Sequence, residues 1–280
     1  MRVVLFILGL LLPTGALAQS STPATPAWPR VQDATDDVAT RFTPPAGFTR
    51  VDVEPGSFAH FVRHLPLRKK GTHVTSHDGA VLMADAAAVV DIDTGKRDLQ
   101  QCADSVLRVY AEYLWSIRQH EAIAFKFTSG DVSTWSSWKQ GIRPVVGRKV
   151  RFQKKADPDG SYANFRAYLD NLFMYAGSAS LEAYTPKSKF SALHPGDFFV
   201  LGGYPGHAVL VLDVAKNKAG EVRVLLGQGY MPAQSFHVVQ HKDGAAWFAF
   251  DRQGQLTIPT WAKPFPPSSV RRFRRVPTGS

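Results

Sequence analysis

Cys102 is the one cysteine in 280 residues, and it stands at the start of "QCADSVLRVYAEYLWSIR", a stretch with the spacing of a helix. A thiol attacks a carbonyl only as thiolate, and a free thiol titrates too high to supply much of it near neutrality. The positive end of a helix and a neighbouring imidazolium both lower that pKa. The helix start supplies the first device. His207, in "GGYPGHAVLVLD", is the candidate for the second. A third residue comes from the hairpin "AKNKAGE": if its turn centres near Lys218, His207 lies opposite Gln228 or Gly229. Gln228 would then stand beside the ring, where an amide oxygen can accept a ring N–H and fix the tautomer. The plain alternatives are a small buried hydrophobe at Cys102 and a packed histidine at the mouth of a buried strand.

These residues need elements to hold them. Asp98 to Arg118 places Leu99, Ala103, Val106, Tyr110, Tyr113, Leu114 and Ile117 on one face, with Asp98 as the expected N-cap. A second helix, "SYANFRAYLDNLFMYAG", turns Phe165, Leu169, Leu172 and Phe173 inward and stops at Gly177. Between the helices, "FKFTSGDVSTWSSWKQGIRP" reads as strand then loop. Residues 79–92 read as two strands, although Ala86 to Ala88 would equally suit a helix. After Pro195 come "DFFVLGG", "HAVLVLDVA", "EVRVLLGQ", "SFHVVQ" and "AWFAF", a run of strands with turn residues between. Helices first and an antiparallel sheet second predict an α+β fold. Gly202, Gly203, Pro205 and Gly206 allow a sharp turn before His207 and suit either a cleft rim or an ordinary tight turn. Asp197 suits a turn hydrogen bond at a strand entrance. Asp213 lies roughly 20 Å along the strand from His207, too far to assist it.

Residues 1–18 have the form of a secretory signal peptide: Arg2, an apolar run from Val3 to Leu12, then Ala16-Leu17-Ala18. The run is shorter than the roughly 20 residues of a spanning helix. We therefore expect an exported protein, periplasmic or extracellular, without a transmembrane segment. Residues 19–45 are rich in Pro, Ser, Thr and Ala and read as a linker. Residues 46–262 read as a single α+β domain, and 263–280 as a basic, Pro-rich tail. Hydrophobic residues make up 44% of the chain and charged ones 20%, enough for a sizeable core. The formal charge of +10 is mostly scattered, apart from "RKK" at 68–70 and "RRFRR" at 271–275. An anionic envelope polymer or lipid head groups could attract it. No nucleic-acid motif accompanies the basic tail, and an export signal argues against such a partner. A single exported cysteine has no internal disulfide partner, so its retention asks for a reason. Nothing in the sequence specifies an oligomeric state.

The order of a cysteine at a helix start, then "PGDFFV…GGYPGHAVLVLD", then a polar residue on the next strand resembles the papain-like superfamily, in particular the NlpC/P60 and CHAP-type cell-wall hydrolases. That resemblance implies a papain-like arrangement, the cysteine helix packed on a C-terminal antiparallel sheet. It also implies Cys102 as nucleophile, His207 as base and Gln228 as orienting residue, with a peptide or peptidoglycan-like envelope substrate. The stretch from Cys102 to His207 is longer than in compact cell-wall hydrolases, so an insertion holding the second helix is expected. More closely, "RDLQQCAD", "AEYL", "GGYPGHAV" and "QGYMPAQSFH" resemble the bacterial family called domain of unknown function 4846. That resemblance covers most of residues 45–260 and implies no particular activity.

Other chemistries have weaker support. His60 with His64, and His73 with His77, have the spacing of metal ligands on a helix. Pro66 and the turn-rich "THVTSHDG" argue against helices there, so neither a metal nor any other cofactor is expected. In "HVVQH" the two histidines would be some 13 Å apart on a strand, though His237 is a second choice for the orienting role. Trp135, Trp138 and Tyr230 could line a sugar or peptide groove but suit a core better. Carboxylate-pair glycosidase chemistry has no feature in its favour. The expectation is an exported thiol hydrolase or acyltransferase acting on an amide or peptide bond, a cysteine amidase or peptidase. The alternative is a papain-like domain that binds an envelope component, or is purely structural, without turnover.

Overall fold

The computed structural model describes residues 25–30, 36–82 and 84–275. The signal segment 1–18 and the end of the tail, 276–280, lie outside the described residues. Short elements open the chain: β1 (Asp36–Asp37), α1 (Val38–Arg41), β2 (Thr49–Arg50), α2 (Phe58–Arg63), β3 (Pro66–Leu67) and β4 (Ala86–Val89). The long α3 (Cys102–Ser116) is followed by the hairpin β5 (Ala124–Lys126) and β6 (Val132–Thr134), then α4 (Trp135–Lys139). A second hairpin, β7 (Ile142–Val146) and β8 (Val150–Lys154), precedes α5 (Tyr162–Tyr175) and α6 (Ser178–Tyr184). The remainder is strands: β9 (Phe198–Leu201), β10 (His207–Lys216), β11 (Val222–Gln228), β12 (His237–Val239), β13 (Leu256–Ile258), β14 (Trp261–Phe265) and β15 (Val270–Arg271).

The central sheet has the order β15-β9-β10-β11-β12-β4, with β2 also paired to β10, and every pairing is antiparallel. The chain is thus a mixed α/β protein with antiparallel sheets. Strand β10 is buried on both faces, which explains its unbroken apolar run. Ala208, Leu210 and Leu212 face a core shared with α3 and α5; Val209, Val211 and Val214 face a second core with Leu256, Trp261 and Phe265. A β-bulge between Val211 and Asp213 shifts the alternation. Val214 therefore joins the second core, while the buried Asp213 carboxylate meets Arg50 of β2 at 2.5 Å and Arg63 of α2 at 2.8 Å. Removal of the carboxylate would strand the Arg63 guanidinium in a dry interior.

Several sequence expectations need correction. Asp98 is not the N-cap of α3. The cap is Gln101, whose N–H donates to Asp104 Oδ2 at 3.1 Å. Asp98 instead accepts from the Ala233 N–H at 2.6 Å and from Gln101 Nε2, tying the turn after β11 to the helix start. Trp135 to Lys139 form a helix rather than a loop, capped by Thr134 Oγ1, and Trp135 and Trp138 are both buried. His60 lies on a short helix and His64 caps it, despite Pro66 two residues on. Ala86 to Ala88 belong to a strand, the first of the two readings the sequence allowed and not the helix. The second helix ends as expected before Gly177, and Phe165, Leu169, Leu172 and Phe173 are buried.

The boundaries drawn at residues 45 and 263 are not edges of the packed structure. Trp28, within the stretch read as a linker, is buried edge-on against Phe61, and its Nε1–H donates to Asp91 O at 2.6 Å. Asp36 and Asp37 pair with β3. In the basic tail, Val270 and Arg271 add a strand to the central sheet. Arg272 pairs with the buried Asp197, and Phe273 stacks on Tyr110 with ring centroids 4.0 Å apart.

Candidate active site

The positive end of α3 meets the central sheet where β11 ends and the chain turns away at Gly229. A Cβ at Gly229 would lie 2.3 Å from Ser105 Oγ and 2.9 Å from the Gln101 carbonyl oxygen, so only glycine lets the two elements approach this closely. The approach puts Cys102, the first residue of α3, against the start of β10. Its sulfur lies close to the backbone N–H groups of Ala208, the residue after His207, and of Ala103. Tyr230 is near the sulfur as well, and its ring meets the His207 ring edge-to-face with centroids 5.2 Å apart.

His207 is 1% exposed. Its Nε2–H donates to Gln228 Oε1 at 2.9 Å, leaving Nδ1 to carry the lone pair. Ring faces are covered by Trp261, which stacks at 5.0 Å, and by Phe265. The hairpin register explains the contact with Gln228. Leu210 pairs with Gly227 and Val211 with Leu226, a register that extends to put His207 opposite Tyr230, so the amide reaches the ring diagonally. Gln228 is itself fully buried. Its Nε2 donates to His237 Nε2 at 3.2 Å and to Thr260 Oγ1 at 3.1 Å, and its direct cross-strand partner is His237. His237 in turn donates from Nδ1 to Ser235 O at 2.9 Å.

Electrostatics favour neutral forms throughout. Burial pushes the Cys102 thiol up to about 11, against the opposing effect of nearby backbone N–H groups. Burial likewise lowers His207 to about 4, against the hydrogen bond it donates to Gln228, and His237 to about 4. Among the described residues no direct hydrogen bond joins Sγ to the His207 ring. The resting state is therefore a neutral thiol, buried with α3, and a neutral imidazole, buried beside Trp261.

The structure brings His207, Gln228 and His237 together on the Trp261 side of the central sheet, while Cys102 packs with α3 and Ala208 on the other side of the same strand start. Thr260 and Trp261 complete the group around His207, and the sequence reading missed both. They arrive through the β13–β14 turn, whose pairing with the rest of the fold has no local signature. Asp104 and Ser105, in the first turn of α3, each carry a buried oxygen without a partner. Burial holds the Asp104 carboxyl well above its usual range, despite the Gln101 N–H it accepts. Asp213 and Asp197 serve the arginines described above. His60 and His64 lie 4.6 Å apart by ring centroid, but among the described residues no three His, Cys, Asp or Glu side chains gather as a metal site. No helix among those residues is long and apolar enough to cross a membrane.

A family model described as domain of unknown function (4846) matches residues 38–272. The chain belongs to that family. No curated protein and no solved structure matches it. The 4846 domain thus runs from α1 through β15. It takes in α3, the β10–β11 hairpin, His237 and the Thr260–Trp261 turn. Its extent also agrees with the packing, since Val38 and Val270 are both core residues.

Proposed function

We propose that this chain is an exported, papain-like thiol hydrolase or acyltransferase that acts on an amide or peptide bond, with an envelope peptide as the substrate class. Export rests on the signal pattern of residues 1–18. The observation that carries the reading is the His207 Nε2–H to Gln228 Oε1 bond at the start of a strand whose next residue, Ala208, packs with the cysteine at the N-terminus of α3. That bond leaves Nδ1 as the basic nitrogen, the protonation state a general base needs. Cys102 Sγ adds to the carbonyl carbon as its proton passes to His207 Nδ1. The same proton goes to the departing amine, leaving an acyl thioester on Cys102. Water, or an acceptor amine, then releases the acyl group and returns the proton to sulfur. The Cys102 backbone N–H is one donor for the oxyanion.

A second reading is favoured by the thiol itself. Its elevated pKa and its burial are the marks of a structural cysteine, in a domain that binds an envelope component without turnover. Alkylation of Cys102 across pH separates the two. A nucleophile paired with His207 labels well below pH 9 in the folded chain and slows in His207→Ala. A structural cysteine labels only at the rate of unfolding, and His207→Ala leaves or raises that rate.

A further inference from the structure

Gln228 is ambidextrous: an amide can present oxygen or NH2 to His207, and the two choices put the ring proton on opposite nitrogens. Thr260 cannot decide between them. Its hydroxyl lies 3.1 Å from Gln228 Nε2 and 3.2 Å from Oε1, and it can rotate to accept from one or donate to the other. The group that can decide is on β12. The Ser235 carbonyl only accepts, so His237 must carry its proton on Nδ1, 2.9 Å away. A neutral His237 then has a bare Nε2, which only accepts, and Gln228 must turn its NH2 toward it at 3.2 Å. Gln228 Oε1 is thereby left facing His207 Nε2, which must carry the proton.

We propose that His237 is a positioning residue, which transmits the polarity of the Ser235 carbonyl through the Gln228 amide and so holds the lone pair of His207 on Nδ1. The proposal deepens the catalytic reading and rests on it for its consequence in rate; the tautomer itself does not depend on that reading. The whole relay is buried. His237 and Gln228 have no exposed surface, and of the groups bonded to them only Thr260 is partly exposed. The groups facing His237 from neighbouring strands are Gln228 on β11 and Val89 on β4. Neither carries a charge that would force a second proton onto the ring. Its burial opposes protonation as well.

The test is nitrogen-15 NMR of the imidazoles in the full chain, alongside the pH profile of Cys102 alkylation. In the unaltered protein His237 should show only the Nδ1–H tautomer and His207 only the Nε2–H tautomer. A His207 found as Nδ1–H overturns the proposal without any variant. In His237→Phe, which keeps a planar ring and removes the acceptor, Gln228 is free to turn. His207 should then show a mixture of tautomers, and the alkylation rate should fall about tenfold, the rate equivalent of one lost neutral hydrogen bond. His237→Gln offers an acceptor oxygen again and should recover part of both. If His237→Phe folds and His207 stays wholly Nε2–H with an unchanged rate, the relay is refuted. If Cys102 never labels in the folded chain while the tautomers behave as stated, the relay stands and the catalytic reading fails.

Discussion

The contact between β11 and the first turn of α3 gives a perturbation that acts on the site without touching Cys102, His207 or Gln228. In Gly229→Ala the new methyl would lie 2.3 Å from Ser105 Oγ and 2.9 Å from Gln101 O. The hydroxyl can swing away by rotating about χ1. The carbonyl cannot, because it accepts the first hydrogen bond of α3, from the Ser105 N–H at 2.9 Å. To reach ordinary contact the carbonyl must retreat by about 0.5 Å, which stretches that bond or pushes the whole helix start away from the sheet. Overpacking of this kind costs about 1–3 kcal/mol. The same displacement draws Sγ away from the Ala208 N–H and alters its separation from His207.

Urea denaturation should therefore show a loss in that range with an unchanged m-value, and Cys102 alkylation in the folded state should change in parallel. A double-mutant cycle with Ser105→Ala divides the effect. Ser105 Oγ is buried without a partner, so its removal alone should be neutral or slightly stabilising. In the double variant only the part due to the backbone carbonyl remains, and that part should be the larger. If Gly229→Ala unfolds within about 0.5 kcal/mol of the parent and labels at the same rate, the helix start is not held by this contact.

Asp213→Ala leaves the Arg63 guanidinium buried without its carboxylate and should cost about 3–5 kcal/mol in urea unfolding; a loss below about 1 kcal/mol would contradict a dry ion cluster. His207 and His237 are both lowered from 6.5 to about 4 by burial. The unfolded chain therefore binds more protons than the folded one between those values. Stability should be full above pH 6.5 and fall as the pH drops toward 4, by up to about 3 kcal/mol for each ring. His237→Phe should shallow that slope, and a flat profile for the parent would refute the neutral-ring assignment. Trp28→Ala should destabilise by about 3–5 kcal/mol, and no shift in the melting temperature would mean that this segment is not part of the core.

Much of the site was legible because its partners lie on one hairpin. The polar turn "AKNKAGE" fixes the pairing of β10 with β11 to within a residue, and that alone brings Gln228 to His207. Cys102 was legible for a different reason, the helical spacing of the apolar residues from Ala103 to Ile117. The cap was misread because Asp98 has good cap chemistry, yet its carboxylate is taken by the Ala233 amide from a distant turn. A local rule cannot see such a competitor. Trp28 was missed through composition, since the prolines and the run of Ser and Thr around it outweighed one large apolar residue. A lone tryptophan in a Pro-rich stretch was the available signal that the stretch docks. Thr260 and Trp261 had no such signal, since a long-range turn delivers them.

Gln228 and His237 looked, from sequence, like rivals for one role, because either could accept a proton from the His207 ring. In the folded chain they act in series, for a physical reason. An amide can hold a histidine in place but cannot by itself choose which ring nitrogen bears the proton, since its two ends are nearly the same size. An imidazole can choose, provided its own proton is fixed, and the Ser235 carbonyl fixes it with a group that has no alternative role. Each link in the sequence of carbonyl, imidazole and amide has one fewer freedom than the next. The pairing of His237 with Gln228 on adjacent strands is thus what turns an unspecific polar contact into a defined protonation state of His207.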